Sequence, residues 1–505
     1  VSDVTMPAML NWSAAAEATK SLTDQWKANE PGGAVIGFDA EGIRFAQCGG
    51  VENLNTLAPF SCHSVVRYAS VTKHAFCAMV LAHPDLISLE DRLGDHLPEL
   101  QEPLASVTVG RALDMSGGLP DVRECLSLLG LSVYTETQAK DLMSFVARQT
   151  RLNYPAGTEI SYSNTGYRLV ETVLERKGAF FRDFIRELAH SADASFDAPD
   201  VWNDAVAGLV PGYWHTGEKW QLSAAGLHIS ASGSLTGSAE SLTNWLRALM
   251  RGEGRLAGVL EKLSANRPMA DGRMNGYGLG IRQSRLGDRL FPGHGGSHPG
   301  YKSYFLLDPE TQSGFVVVSN REDTNGYRIA LLGMAALLDL PLPTPSTALQ
   351  DGLYVSESGP DWLEVKGSVV TSLDADETVY EESNGWVSSQ SASQPVRLKM
   401  DGDNIIGEVG HAPRRYLPVT PQTETMPNSQ WVSPEGARFD IEDGHIVMGV
   451  GPVRHRMPLK PLGDGRYLFT LYDGPWTKRV CLHQLNENRL QLVLNRARMI
   501  EYFSR

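Results

Sequence analysis

Tyr68-Ala69-Ser70-Val71-Thr72-Lys73, running into the apolar Phe76-Cys77-Ala78-Met79-Val80-Leu81, is the stretch on which the reading of this 505-residue chain turns. Apolar residues recur at Phe76, Met79 and Val80, and His83-Pro84 closes the run, so the spacing predicts a helix that starts near Ser70. Residues three apart on a helix share a face, which brings the Lys73 amine within reach of the Ser70 hydroxyl. A hydroxyl is a poor nucleophile at its own pKa, and a proton acceptor one turn away makes it reactive. This is the only Ser-x-x-Lys spacing in the chain. Alone it reads more readily as a helix N-cap serine with a solvated lysine, so companions elsewhere must decide.

Outward from that stretch, residues 14–28 read as an opening helix and residues 34–46 as a β-hairpin turning at Asp39-Ala40-Glu41-Gly42. After the turn Ser116-Gly117-Gly118-Leu119-Pro120 the pattern is mostly helical to about residue 188. Ser238 is the expected N-cap of a helix reaching 251, with Leu242, Trp245 and Leu246 on one face. Between 290 and 320 the period becomes that of strands, 304–307 and 315–318, flanking the turn Asp308-Pro309-Glu310-Thr311. A closing helix over 327–338 and a proline-rich linker over 341–345 follow.

Beyond the linker, short strands show a faint repeat about 77 residues long. Tyr354-Val355-Ser356, Leu363-Glu364-Val365 and Gly367-Ser368-Val369 recur as Trp431-Val432-Ser433, Phe439-Asp440-Ile441 and Gly444-His445-Ile446. The expectation is a multi-domain α+β chain. A mixed helix-and-strand domain over 1–342 precedes two small all-β domains over 347–424 and 428–505.

With 59 acidic against 45 basic residues the net charge is −14, which argues against nucleic acid or an anionic membrane as partner. Cys48, Cys62, Cys77, Cys125 and Cys481 are scattered, without a C-x-x-C pair or metal-ligand spacing. Their odd number and low density favour a reducing compartment, hence the cytoplasm, with periplasm or secretion left open. The longest clearly apolar helical stretch, 329–338, has about half the length that spans a bilayer. Residues 1–10 carry Asp3 and no basic residue, so they are not an intact signal peptide.

Three signals in fixed order carry the chemistry: Ser70-x-x-Lys73, Tyr162-x-Asn164 and His294-Gly295-Gly296. Each alone reads as ordinary structure, a packed tyrosine, a capped turn or a glycine turn. Together they make a working set. A phenol near a lysine cation has its pKa lowered and can act as base towards Ser70. The Asn164 amide can orient a substrate carbonyl, and Gly295 and Gly296 let a substrate lie directly against the strand edge.

These motifs resemble those of the penicillin-recognising serine hydrolases, which include class C β-lactamases, DD-peptidases, related esterases and D-aminopeptidases. All three stand in the family's order, over about residues 10–340, with no counterpart of the class A glutamate base or its Ser-Asp-Asn motif. The resemblance implies a β-lactamase/transpeptidase-like catalytic domain, an antiparallel sheet flanked by helices plus an all-helical region, followed by two small antiparallel β-barrels. The His-Gly-Gly triplet, the two barrels and the strand Arg498-Met499-Ile500-Glu501-Tyr502 are similar to the D-aminopeptidase branch. In that branch a loop of the last barrel offers a carboxylate to the substrate's free amine; the matching position here is Asp473, in Leu471-Tyr472-Asp473-Gly474-Pro475-Trp476, a shorter segment.

The resemblance further implies acyl transfer in two halves. Tyr162, with Lys73, takes the proton as Ser70 attacks an amide carbonyl. The oxyanion lies between the backbone N–H groups of Ser70 and Ser297, and Tyr162 then protonates the leaving amine. Asn164, His294, Gly295, Gly296 and Ser297 contact substrate. No metal or organic cofactor is implied. The partner is a small peptide or amide from which an N-terminal D-residue is released, with neither nucleic acid nor membrane and with a homodimer open as the assembly. An esterase or β-lactam hydrolase without amine recognition, or an inactive binding homologue, are the alternatives.

Overall fold

The strand Gly33–Asp39 is buried along its whole length, and a six-stranded antiparallel sheet is built around it. In this computed structural model, which describes residues 9–505, the strand order is Ile43–Gly49, Gly33–Asp39, Ser313–Ser319, Tyr301–Asp308, Arg289–His298 and Arg282–Leu286. The reading of residues 1–10 as lacking a signal peptide falls on residues outside the described ones, apart from Met9 and Leu10.

Alternate side chains of this sheet feed two cores, as the period of two demands. Val35, Leu306, Phe315 and Val317 pack with Ala15, Ile329 and Met334 of the helices Trp12–Thr23 and Gly326–Leu338. Ala34, Ile36, Phe38, Phe305 and Val316 face Phe76 and Met79 of the helix Thr72–Leu81 and Trp245 of Ala239–Arg251. Burial on both faces explains why the central strands read as continuous apolar runs. The Ser238 hydroxyl caps its helix by accepting from Ser241 N at 3.1 Å. The opening helix ends at Thr23 instead of residue 28, because turn bonds from Gln25 and Trp26 fold Trp26 back into the core.

Eight strands between Gly352 and Pro418 close into a barrel, the last pairing with the first through Ser356 and Tyr416. Leu363, Val365, Leu398, Ile405 and Tyr416 fill it. Nine strands between Ser429 and Ser504 form the second barrel, which is nearly closed: its end strands Val453–Pro458 and Lys460–Gly463 do not pair. The segments that repeat in the sequence form the first three strands of each barrel. The interior of the second barrel, with Trp431, Phe439 and Tyr502, is continuous with the catalytic core, and the Tyr502 hydroxyl donates to Leu128 O at 2.7 Å. No described helix is long and apolar enough to cross a membrane.

Candidate active site

Ser70 lies in a single 3-10 turn, Ala69–Val71, ahead of the α-helix Thr72–Leu81. Ala69 holds φ at +53°, a left-handed conformation that costs a non-glycine residue and turns the chain at Ser70. The helix therefore starts two residues later than the spacing suggests, while Ser70 and Lys73 still meet. Lys73 Nζ is fully buried and donates to Ser70 Oγ at 2.9 Å, Asn164 Oδ1 at 2.7 Å and Ser232 O at 2.7 Å. Burial pulls the Lys73 pKa down, against the opposing pull of Tyr162.

Tyr162 packs against that lysine, with Lys73 Nζ 4.7 Å from its ring centroid, Arg282 Cζ at 5.4 Å and Arg496 Cζ at 4.7 Å. Burial pushes the phenol up, but the charges of Lys73 and Arg282 more than offset it, so its pKa lies below the usual 10. The hydroxyl makes no hydrogen bond of normal geometry among the described residues, although Lys73 and Ser70 lie close enough to favour its ionised form. Asn164 is oriented by Asp121, whose Oδ1 accepts from its backbone N at 2.9 Å and its Nδ2 at 3.1 Å.

The strand Arg289–His298 passes directly beside Ser70. A Cβ on Gly296 would come 1.9 Å from Tyr68 O and 3.0 Å from Ser70 N. The glycine thus lets the strand close onto the backbone at Ser70, where the sequence suggested room for substrate. A Cβ on Gly295 would likewise strike the Tyr304 ring at 2.7 Å. His294 has no exposed surface: Nδ1 bonds Gly295 O at 2.6 Å and Nε2 the Tyr277 hydroxyl at 2.8 Å. Burial, reinforced by Arg282 and Lys73, keeps this imidazole neutral. It sits under Tyr162, ring centroids 6.1 Å apart, supporting the site from behind instead of contacting substrate. Ser297 is exposed, accepts from Lys302 Nζ at 2.6 Å and shares with Ser70 the wall of a cavity.

That cavity, of about 520 Å³, has Ser70 and Asn164 in its lining. Val133, Trp202, Leu227 and Ile229 supply an apolar side, the turn Leu373–Ala375 of the first barrel another, and Pro475–Lys478 with Asn495 and Arg496 of the second barrel the rest. Asp473 is not in the lining. Its carboxylate accepts from the Ser132 hydroxyl at 2.8 Å and from Val133 N at 2.7 Å, fastening the barrel turn to the catalytic domain. Both oxygens being engaged there corrects the expectation that Asp473 meets the substrate amine.

Three acidic residues line the cavity instead: Asp121, engaged with Asn164 and Glu124 N, Asp374, whose Oδ1 accepts from Arg479 N at 2.9 Å, and Glu124 on the helix Val122–Leu128. Glu124 is 8% exposed, and its Oε2 has no partner among the described residues, while Oε1 accepts from Arg496 N at 3.3 Å. Burial holds its pKa above the ordinary carboxylate range, against Lys478 and Arg496. Sequence reading missed Asp121, Glu124, Ser232, Arg282 and Arg496. Only Asp121 left a signal, as an acidic N-cap before Val122–Leu128. Among the described residues no group of three or more His, Cys, Asp or Glu side chains is arranged to hold a metal ion.

Comparison with known proteins agrees with this architecture. The family described as Beta-lactamase matches residues 18–338. A D-aminopeptidase of Brucella melitensis is 22% identical over 382 residues, 74% of this chain and 70% of that protein. A D-aminopeptidase of Cereibacter sphaeroides is 24% identical over 324 residues, 61% of this chain and 60% of that one. Among solved structures, the octameric penicillin-binding protein homologue from Pyrococcus abyssi superposes with a TM-score of 0.55 at 15% identity, covering 96% of this chain and 99% of that one. The D-amino acid amidase from Ochrobactrum anthropi, complexed with D-phenylalanine, reaches 0.52 at 19% identity, covering 64% and 98%.

Proposed function

This chain belongs to the Beta-lactamase family, and from that membership we propose that it is a serine amidohydrolase that forms an acyl-enzyme at Ser70 and releases N-terminal D-residues from short peptides and amides. The observation that carries the reading is the cavity itself. It joins a hydroxyl in contact with a buried lysine, Ser70 Oγ to Lys73 Nζ at 2.9 Å, to a buried carboxylate oxygen that has no protein partner, Glu124 Oε2.

In this mechanism Tyr162, whose ionised form Lys73 and Arg282 favour, takes the Ser70 proton as Oγ bonds to the carbonyl carbon. Asn164 orients the substrate, and the backbone N–H groups of Ser70 and Ser297 receive the oxyanion. The C–N bond breaks as Tyr162 returns its proton to the departing amine, and water repeats the sequence to free the acid. Glu124 pairs with the substrate's ammonium, which supplies the partner its buried oxygen lacks. The D-aminopeptidases and the D-amino acid amidase among the relatives support the D-residue and free-amine preference.

The test is the initial hydrolysis rate on matched D- and L-amino-acid amides, free and N-acetylated. Turnover that requires a free amine and a D-residue, vanishes in Ser70→Ala and loses its free-amine preference in Glu124→Gln is the expected outcome. Indifference to both, or activity confined to esters or β-lactams, would move the chain to another branch of the family.

A further inference from the structure

The second barrel reaches the active site through the turn between its strands Arg489–Leu494 and Ala497–Ser504. This turn is fixed to the catalytic domain. Arg496 O accepts from Asp121 N and from Asn153 Nδ2, both at 2.8 Å, while the Ser161 hydroxyl donates to Asn495 Oδ1 at 3.2 Å. Arg498, two residues on, pairs with Glu159 at 2.8 Å. The side chain of Arg496 therefore leaves a rigid backbone, and it enters the cavity that holds Ser70.

Its guanidinium is uncommitted. Arg123 donates to Leu131 O at 2.7 Å, Arg168 to His228 O at 2.5 Å, and Lys73 has its three partners. Lys478 rests 5.2 Å from the Trp476 ring. No carboxylate or carbonyl among the described residues receives a hydrogen bond from the Arg496 side chain, which lies 4.7 Å from the centroid of the Tyr162 ring. A planar fork held over an aromatic face, with its donors free, matches a carboxylate in geometry as well as charge.

The position says which carboxylate. Tyr162 protonates the departing amine, so a group carried one carbon beyond that nitrogen passes beside its ring. In a peptide with a free C-terminus, the α-carboxylate of the released amino acid is that group; in a C-terminally blocked peptide the same position is uncharged, and in a simple amide it is missing. We propose that Arg496 is the receptor for the α-carboxylate of the leaving amino acid, and that this hydrolase prefers short peptides with a free C-terminus to the corresponding amides. The proposal deepens the reading of the previous subsection and rests on it for the direction in which the substrate lies.

The test compares D-phenylalanyl-glycine with D-phenylalanyl-glycinamide, which offer the same acyl group and scissile bond and differ only in the carboxylate. Binding to the Ser70→Ala protein by calorimetry should favour the free acid about tenfold, in line with one charge-assisted bidentate contact. Arg496→Gln in that background should erase the difference, and Arg496→Lys should keep part of it. Equal affinities in the Ser70→Ala parent, binding of neither peptide, or a preference that survives Arg496→Gln would overturn the proposal. Turnover by the unsubstituted protein separates the two readings. If neither peptide is cleaved, the hydrolase assignment fails while the affinity ratio still judges Arg496. If both are cleaved and bound equally well, only the carboxylate receptor fails.

Discussion

A phenol wedged between a lysine and two arginines has its titration set by its neighbours. Burial alone would keep Tyr162 protonated; Lys73 and Arg282 reverse that balance and bring its pKa below 10. In the proposed mechanism Tyr162 must be ionised to accept a proton, so a lower pKa extends activity to lower pH. Arg282→Gln removes one of those charges and raises the phenol pKa, and it also relieves the depression of Lys73. The acid limb of the kcat/KM profile should therefore move to higher pH, as a pH series on any turned-over amide would reveal. Tyr162→Phe should lower kcat by about 10²–10⁴ with little change in KM. Glu124 supplies a second pH dependence of its own. Because its carboxyl titrates above the ordinary range, pairing with a free amine should be lost as pH falls through that raised pKa, at a higher pH than for an exposed glutamate. KM for free-amine amides should rise there while KM for N-acetylated ones stays level. Ser70, Lys73, Tyr162 and Asn164 were readable in the sequence because each pair is local. Glu124 was not, because the space it faces is enclosed by segments some 250 to 370 residues away in the chain.

The strand Arg289–His298 shows what an element needs in order to serve as an active-site wall. It must approach the nucleophile more closely than any side chain allows, and Gly296 is where it does so. Gly296→Ala would drive a methyl into Tyr68 O and force the strand off Ser70. The expected result is a loss of kcat of at least about 10²-fold together with about 1–3 kcal/mol of stability, measured by steady-state kinetics and urea unfolding. The triplet itself was legible; its physical reason was not, since a sequence does not say which backbone lies opposite. The same holds at Ala69. Alanine rarely adopts a left-handed φ, so periodicity extends the helix back to Ser70, and only tertiary contacts such as Ser303 Oγ donating to Tyr68 O hold the real turn in place.

At the scale of the molecule, one buried carboxylate ties three bodies together. Glu159 of the catalytic region is 4% exposed and pairs with Arg414 of the first barrel at 3.0 Å and with Arg498 of the second at 2.8 Å. Glu159→Ala would leave two arginines without their shared partner, a change that costs about 3–5 kcal/mol. Urea unfolding should show the lower midpoint, with the barrel tryptophans reporting before the catalytic core. The faint repeat announced two similar β units but not how they dock, because docking rests on single charges and turns without a periodic signature. Nor did it announce that both barrels line the cavity. That arrangement has a consequence in time. Ser70 and Arg496 are 426 residues apart, so at a synthesis rate of about 5–20 residues per second the nucleophile precedes its far wall by roughly 20–85 seconds on the ribosome. A nascent chain folded through the closing helix would hold reactive groups in an open groove, and the ability to choose among substrates arrives only when the final hairpins are translated and settle onto the helix Val122–Leu128.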